Sequence, residues 1–174
     1  MTKKFRSVAD QHRHRVYTFA YYSLRNREEA EDVTQEVLVR MWKNWEELNE
    51  ATLPAWINRV TRNACIDAVR RRRAYRTRVV ATGDGEEMLQ GISIEPGPDA
   101  TVEASELRET IQGALASLQE PYRSIVILRE IQDMKYEEIS KNLELPLNTV
   151  KSYLHRGRRM LREKLTGTLD HESF

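Results

Sequence analysis

The chain has 174 residues, 40% of them hydrophobic, and its 28 basic and 27 acidic side chains leave a formal net charge of +1. This length accommodates one ordinary domain or two small ones, and the absence of any run of 18 apolar residues or of an apolar stretch in 1–10 predicts a cytoplasmic protein without membrane insertion. A single cysteine, Cys65, excludes an internal disulfide, and four histidines without a cysteine cluster argue against a structural zinc site.

Charge is strongly segregated along the chain. Residues 51–80 carry eight basic side chains and one acidic side chain, whereas residues 81–120 carry one basic and nine acidic ones. Glycine and proline concentrate in the acidic stretch, which has no clear apolar period and is typical of a linker. Apolar residues recur at helical spacing on both sides of it, and no strand alternation of useful length intervenes. We therefore predict an all-α protein with two small helical domains, at 8–78 and 102–166, joined by a flexible acidic linker at 79–101.

The first amphipathic segment has an acidic face. Asp32 and Glu36 stand one helical turn apart, Lys43 continues their face, and an apolar stripe runs opposite them through Val33, Val37, Met41 and Trp45. An acidic face would repel the phosphates that the basic segment following it at 51–80 attracts, which favours a basic protein partner; the alternative is an ordinary solvated face. We assign the three tryptophans to the apolar stripes of their helices rather than to base stacking: Trp42, Trp45 and Trp56.

The next segment is predicted to be a long, basic helix. It covers Leu53–Arg73, begins near Pro54, and ends in four arginines that cannot all be buried. Asn63 lies beside this basic surface, and its side-chain amide can both donate a hydrogen bond to a base edge and accept one from it. We therefore prefer Asn63 as the residue that reads base sequence in this domain. The alternative is a solvated charge run that complements the helix dipole. The arginines proposed to contact the nucleic-acid backbone are Arg59, Arg62, Arg70, Arg71, Arg72 and Arg73.

The second domain contains a helix-turn-helix pattern. Tyr136, Ile139 and Leu143 recur at helical spacing, a turn follows, and Asn148 is well suited to cap the next helix. In that helix the small Gly157 lies on the apolar stripe and permits close packing. The opposite face is rich in donors and positive charge, as a helix in the major groove requires, although a solvated face is the alternative. It contains Asn148, Thr149, Lys151, Ser152, His155, Arg156 and Arg159.

Three parts of the chain together resemble conserved regions two and four of extracytoplasmic-function (ECF) sigma factors. The order and spacing of these parts carry the resemblance, and the lack of a domain between them is similar to the minimal two-domain class. The matching residues are the D-x-x-Q-E pattern of Asp32, Gln35 and Glu36, the segment Asn63–Asp67 before the arginine run, and Leu118–Arg123 before the helix-turn-helix.

This resemblance implies a transcription initiation factor that binds promoter DNA as part of RNA polymerase. It implies that Asp32, Gln35 and Glu36 dock on the clamp helices of the largest subunit of core RNA polymerase. Since many relatives are held inactive by an anti-sigma protein, such a partner is also expected. The minus-ten element would be opened and read by Asn63 and by the loop residues Asn49, Glu50, Ala51 and Thr52. The minus-thirty-five element would be read by Lys151, Ser152, His155 and Arg156.

Two other functions compete with this interpretation. A stand-alone helix-turn-helix regulator explains residues 136–165 but leaves the D-x-x-Q-E face and the second basic domain unexplained. An enzyme acting on nucleic acid is disfavoured because the chain contains no phosphate-binding loop, no H-E-x-x-H pair and no zinc deaminase signature. We therefore expect a protein that is not an enzyme and that needs no cofactor or metal.

Overall fold

The computed structural model describes residues 2–82 and 101–171, and these ranges contain seven α-helices and no β-strand. The predicted all-α class is confirmed. None of the described helices is both long enough and apolar enough to cross a membrane. The helices are α1 (Thr2–Leu24), α2 (Arg27–Lys43), α3 (Leu53–Thr82), α4 (Val102–Ser117), α5 (Tyr122–Val126), which continues into a π-helical turn (Ile127–Ile131), α6 (Tyr136–Leu143) and α7 (Leu147–His171).

The first domain is a bundle of α1, α2 and α3. Arg25 adopts a left-handed conformation (φ 52°) and ends α1, and the side chain of Asn26 caps α2 by accepting a hydrogen bond from the Glu29 amide at 2.9 Å. Acidic residues in the first turn of α2 and basic residues in its last turn complement the helix dipole. The buried stripe of α2 consists of Ala30, Val33, Thr34, Val37 and Met41.

Helix α3 is nine residues longer than predicted. It extends past Arg73 to Thr82, so it includes the first four residues assigned to the linker, 79–82. The physical reason is that neither glycine nor proline occurs between Arg73 and Gly83 to end the helix. The rest of the predicted linker, at 83–100, lies outside the described residues.

The second domain consists of α4 to α7, and α6 and α7 form the predicted helix-turn-helix. Glu144 ends α6 in the left-handed conformation (φ 55°), and the Ser140 hydroxyl donates to the Leu145 carbonyl across the turn at 2.6 Å. The prediction that Asn148 caps α7 is wrong, because the helix already begins at Leu147. The fixed φ of Pro146 favours this earlier start, and its carbonyl accepts from the Val150 amide at 3.0 Å.

The predicted close packing of Gly157 is confirmed. A Cβ atom added there would lie 2.7 Å from Cγ2 of Val126, so α7 packs against α5 at a distance that only glycine permits. On the same stripe Val150 and Leu154 are fully buried. An edge-to-face contact between Tyr122 and Tyr153, with ring centroids 5.4 Å apart, also fixes α7 on α5.

The tryptophan assignments are only partly correct. Trp45 is half-buried, with its ring edge-to-face against Phe5 at 5.2 Å, and Trp56 packs partly buried against the core. Trp42, in contrast, is 55% exposed, so its assignment to the core is wrong. Position 42 follows the buried Met41, and a step of one residue turns the side chain by about 100° away from the core.

The two domains pack directly against each other. The Gln112 side chain donates to the Tyr21 carbonyl at 2.7 Å, and the Gln132 side chain donates to the Arg15 carbonyl at 2.9 Å. These contacts place α4 and the π-helical turn on α1. On the other side, α6 lies against the amino-terminal half of α3, where the Asn58 amide approaches the Met134 sulfur at 3.7 Å.

Candidate nucleic-acid and polymerase interfaces

Helix α7 presents a polar, basic face to solvent. Its position is set by the buried stripe that packs against α5 and α6, so the opposite face is oriented outward. Arg159 lies near Glu163, with Nε and Oε1 3.8 Å apart, at an exposed site where such a pair contributes little. Of the predicted residues, Thr149 is half-buried, and the exposed ones are Asn148, Lys151, Ser152, His155, Arg156 and Arg159. The face therefore offers amide, hydroxyl, imidazole and guanidinium groups, which are groups that can contact base edges in a major groove.

Arg158, one residue away from this face, has a contact within the domain. Its Nε donates to Oε1 of Glu130 at 2.8 Å, and this hydrogen bond raises the pKa of the guanidinium. The contact fixes α7 to the π-helical turn. Arg162, one turn further along α7, is exposed.

Helix α3 carries the second basic surface. Asn63 is exposed on it, and so are Arg70, Arg71 and Arg73. Asp67 is partly exposed and lies 3.6 Å from a nitrogen of Arg70. The surface therefore combines one amide with three guanidinium groups along about three turns of helix.

Arg72 belongs to the predicted arginine run but does not lie on this surface. Its guanidinium pairs with the Glu29 carboxylate and donates to the Leu24 carbonyl at 3.1 Å. Residue 72 follows the buried Ala68 by one turn, so it continues the face of α3 that packs against α1 and α2. Arg72 connects the amino-terminal end of α2 to the middle of α3.

Arg59 and Arg62 also have partners. Nη1 of Arg59 lies 2.9 Å from Oε1 of Glu144, and Nε of Arg62 lies 3.6 Å from Oε2 of Glu120. Both carboxylates belong to the second domain. Two of the six predicted backbone-contacting arginines therefore have partners in the second domain, and of these the Arg59 side chain is still 51% exposed.

The loop before α3 is an exposed, ordered turn. Oδ1 of Asn49 accepts from the Ala51 amide at 2.9 Å, and the Asn49 carbonyl accepts from the Thr52 hydroxyl at 3.2 Å. The Glu50 carboxylate pairs with Lys4 at 2.7 Å, and the hydrogen bond from that ammonium holds the pKa of Glu50 below its ordinary value. All four side chains of the loop are exposed, so the turn presents them beside α3.

The exposed face of α2 is larger than the sequence pattern indicated. Asp32 and Gln35 are exposed, and Glu36 is half-buried and pairs with Arg40. The apolar side chains of Val39 and Trp42 lie along the same face, 50% and 55% exposed. The signal for both was present, because Val39 is seven residues after Asp32 and Trp42 is seven after Gln35. A face that combines carboxylate, amide and large apolar groups has the composition of a protein interface.

Potential metal ligands and the single cysteine both lie among the described residues. These residues contain no group of three or more histidine, cysteine, aspartate or glutamate side chains that could hold a metal ion. Cys65 is buried against the first domain's core, and burial raises the pKa of its thiol to about 12. The thiol is therefore a packing group, as its isolation in the sequence indicated.

Comparison with known protein families identifies both domains. Residues 8–75 match Sigma-70 region 2, and residues 108–161 match Sigma-70, region 4. The exposed face of α2 and the basic surface of α3 fall within the first match. The polar, basic face of α7 falls within the second. This combination on one chain defines the class of sigma-70-type transcription factors.

The similarity to curated relatives is more specific. The chain is 36% identical over 155 residues to the ECF RNA polymerase sigma factor SigE of Mycolicibacterium smegmatis, and the match covers 89% of the chain and 59% of SigE. It is 32% identical over 165 residues to the ECF RNA polymerase sigma factor SigW of Bacillus subtilis, and this match covers 92% of the chain and 88% of SigW. The chain therefore belongs to the ECF family of sigma factors, as predicted.

Two solved structures share the fold. The sigma factor RpoE, solved in complex with the anti-sigma factor NepR from Bartonella quintana, matches with a TM-score of 0.73 and 23% identity, over 95% of this chain and 98% of that chain. CnrH, solved in complex with the cytosolic domain of CnrY, matches with a TM-score of 0.66 and 21% identity, over 99% of this chain and 92% of that chain. The likeness confirms the arrangement of helices.

Proposed function

We propose that this ECF sigma factor binds core RNA polymerase and directs transcription initiation at promoters that carry matching minus-ten and minus-thirty-five elements. The observation that carries the proposal is the presence of three separate exposed faces, on α2, α3 and α7, within one chain. A stand-alone DNA-binding regulator would need the α7 face but not the mixed acidic and apolar face of α2. In this role the chain supplies recognition, and the catalytic activity belongs to the polymerase.

The face of α2 is the proposed polymerase-docking face. The acidic and amide groups of Asp32, Gln35 and Glu36 would meet basic groups on the clamp helices of the largest subunit, because complementary charge orients such encounters. Val39 and Trp42 would supply apolar area at the same contact. Exposed aromatic side chains contribute disproportionately to the binding free energy of protein interfaces.

The surface of α3 and the loop before it are proposed to contact the minus-ten element. Asn63 can satisfy both a donor and an acceptor on a base edge, and the exposed arginines can neutralise phosphates. The turn formed by Asn49 and its neighbours would hold an unstacked base beside them. This assignment includes Arg70, Arg71 and Arg73 and leaves Arg72 in the structural role that its contacts give it.

The face of α7 is proposed to read the minus-thirty-five element from the major groove. Arg156 and Ser152 lie one turn apart at its centre, where guanidinium and hydroxyl groups can reach base edges. Lys151, His155 and Arg159 flank them, and Arg162 would contact phosphate. Residues that contact only phosphate position the helix without reading the sequence.

An anti-sigma protein is the further partner that we propose, in the cytoplasm, where the polymerase also resides. The RpoE structure is of a sigma factor in complex with the anti-sigma factor NepR, and the CnrH structure is of a complex with the cytosolic domain of CnrY.

We also propose the domain division 8–78, 79–101 and 102–166, in which the first four linker residues, 79–82, continue α3. Limited proteolysis should then cut within the linker and leave both helical parts intact; cleavage within α7 instead would show that the division is incorrect.

The test of the proposed function is run-off transcription with purified core RNA polymerase over a library of promoter sequences. Addition of the chain should produce transcripts from a restricted set of templates that share two sequence elements. Core polymerase alone is the control. Specific binding to duplex DNA by the chain alone, with no effect on transcription by core polymerase, would favour the stand-alone regulator.

A further inference from the structure

Tyr75 differs from the other tyrosines of the chain. It is 59% exposed, and within the described residues its ring contacts neither another ring nor a guanidinium group. The other six tyrosines are half-buried, and each contacts a second aromatic ring or, in one case, a guanidinium group. These six are Tyr17, Tyr21, Tyr22, Tyr122, Tyr136 and Tyr153. The protein therefore packs every tyrosine except the one that follows the arginine run.

The part of α3 that carries Tyr75 extends away from the first domain. Every residue from 73 to 78 is exposed, whereas a helix that lies on a domain alternates buried and exposed positions. The match to Sigma-70 region 2 ends at residue 75, and α3 continues to Thr82. Among the described residues, none covers the side chains at 73–78. They can therefore contact a partner outside the chain.

The side chains around Tyr75 carry charge of one sign. Residues 70–78 include six arginines and no acidic side chain. Arg72 faces the protein, which leaves five exposed guanidinium groups within these nine residues. Such a dense positive charge favours a polyanion as the partner. Guanidinium groups combined with an exposed aromatic ring are typical of surfaces that bind single-stranded nucleic acid, where the ring stacks on a base.

Two of these guanidinium groups flank the ring of Tyr75. Arg71 precedes it by four residues and Arg78 follows it by three, so all three side chains share one side of α3. The two arginines are about 10 Å apart along the helix axis, with the ring between them. A strand that crosses this side would place phosphates near both arginines and a base against the ring. Because a paired base is covered by its neighbours in the stack, the base that meets the ring must be unpaired.

We propose that Tyr75 stacks on an unpaired base of the opened minus-ten DNA, with Arg71 and Arg78 at the neighbouring phosphates. This inference rests on the proposed function, because it adds a contact to the proposed minus-ten surface. Every base has an aromatic face, so stacking stabilises opened DNA without selecting its sequence. The role of Tyr75 therefore differs from that of Asn63, which is proposed to read a base edge.

The test compares two promoter templates bound by the holoenzyme of core polymerase and the full chain. One template is fully duplex and is bound at a temperature too low for opening, and the other has its minus-ten region held open by mismatches. Tyr75→Ala should weaken binding to the open template at least about fivefold and leave binding to the duplex template unchanged. Tyr75→Phe and Tyr75→Trp keep an aromatic ring, so both should bind the two templates as the parent does. Circular dichroism establishes that helix content is retained, as expected for an exposed position.

Thr77→Ala is the matched control on the same part of α3. Thr77 is exposed and its hydroxyl donates to the Arg73 carbonyl at 3.0 Å, so this variant should match the parent on both templates. Placing 2-aminopurine at one position of the open template at a time locates the stacked base. Its fluorescence should be quenched at one position by the parent and by Tyr75→Phe, and restored there by Tyr75→Ala. Equal weakening by Tyr75→Ala on both templates, weakening on neither, or the absence of such a quenched position would overturn the proposal.

Run-off transcription with the parent chain tests the proposed function separately. If the parent directs selective transcription but Tyr75→Ala binds the open template as the parent does, stacking is refuted and the sigma activity stands. If the parent supports no transcription, the proposed function fails, and the promoter role of Tyr75 fails with it. Promoter preference should be unchanged in Tyr75→Ala and altered in Asn63→Ala, which distinguishes stabilisation of opened DNA from base reading.

Discussion

The Arg72 guanidinium pairs with the Glu29 carboxylate and thereby joins the middle of α3 to the first turn of α2. Both side chains are 30% exposed, and Arg72 also donates to the Leu24 carbonyl. Within a run of four arginines, the one at this helical position faces the protein and the other three face solvent. Neighbouring residues of identical chemistry therefore have different functions.

Replacing Arg72 by alanine should destabilise the first domain by about 1–3 kcal/mol, because Glu29 and the Leu24 carbonyl lose their partner. Arg71→Ala, at an exposed position, should change the free energy of unfolding by no more than about 0.5 kcal/mol but should weaken DNA binding. Urea denaturation measures the first effect and salt-dependent DNA binding in the holoenzyme the second. Equal stability of the two variants would contradict the structural role of Arg72.

Trp42→Ala should weaken binding to core polymerase by about tenfold or more while helix content and stability stay close to those of the parent. Trp45→Ala is the matched control, because Trp45 is half-buried against Phe5, and its loss should instead lower stability. A titration of labelled core polymerase compares both variants. If Trp42→Ala binds polymerase as the parent does, the apolar part of α2 lies outside the docking contact.

Asp32→Ala combined with Glu36→Ala should also weaken polymerase binding, since Asp32 is exposed and the half-buried Glu36 lies one turn further along the same proposed docking face. We expect a change in unfolding free energy within about 1 kcal/mol, as for exposed sites. The same titration, repeated at increasing salt, should show that the difference between variant and parent diminishes as the charges are screened. Unaltered affinity at low salt would argue against an electrostatic contact.

Gly157→Ala should destabilise the second domain by about 1–3 kcal/mol, because the added methyl group would lie 2.7 Å from Val126 and force α7 away from α5. Gly167→Ala, on the same helix, meets no atom within 4 Å and should raise helix stability by up to about 1 kcal/mol. Thermal unfolding of the two variants provides the comparison. Similar midpoints for both would mean that the close approach at Gly157 relaxes without cost.

Arg156→Ala should reduce preference at particular minus-thirty-five positions by about 1–3 kcal/mol, whereas Arg162→Ala should lower affinity similarly for all sequences. Asn63→Ala should change selection at the minus-ten element without altering the minus-thirty-five preference, because it lies in the other domain. Promoter-library transcription with each variant measures these preferences. A uniform loss of output for Arg156→Ala and Asn63→Ala would assign both residues to general binding.

The Cys65 thiol should react with a maleimide only after denaturation, because it is buried with a pKa near 12. The folded pKa lies above the ordinary thiol value, so this group favours the folded state at neutral pH. That contribution should be lost as the pH rises from about 9 towards 12. Comparing the alkaline unfolding of the parent and Cys65→Ala isolates this contribution to stability. Rapid maleimide labelling of the native chain would contradict the burial of the thiol.

Periodicity and composition were sufficient to predict the structural features that depend on local sequence. The all-α class, the helix-turn-helix and the packing role of Gly157 follow from spacing along one helix, which a sequence displays directly. The spacing of Trp42 from Gln35 also indicated an exposed position, but tryptophan is usually largely buried, so its residue type indicated the opposite. Local rules therefore fail where residue type and helical position disagree.

Other features depend on contacts between residues distant in sequence. The inward orientation of Arg72 depends on Glu29, 43 residues earlier, and the partner of Arg59 is 85 residues later. No periodicity connects such positions, because the packing of one helix or domain on another decides them. The same limit explains why the arrangement of the two domains could not be obtained from the pattern of either one.

The unbroken helix α3 determines the relative orientation of two parts of the proposed minus-ten surface. Its 30 residues form a rod about 45 Å long, with the ordered turn at one end and the exposed arginines beyond its middle. Inserting or deleting one residue between Asn63 and Arg70 would rotate all later side chains by 100° and shift them by 1.5 Å. If the proposed contacts are correct, a spacer of the same composition but altered length would therefore direct the arginines away from the DNA.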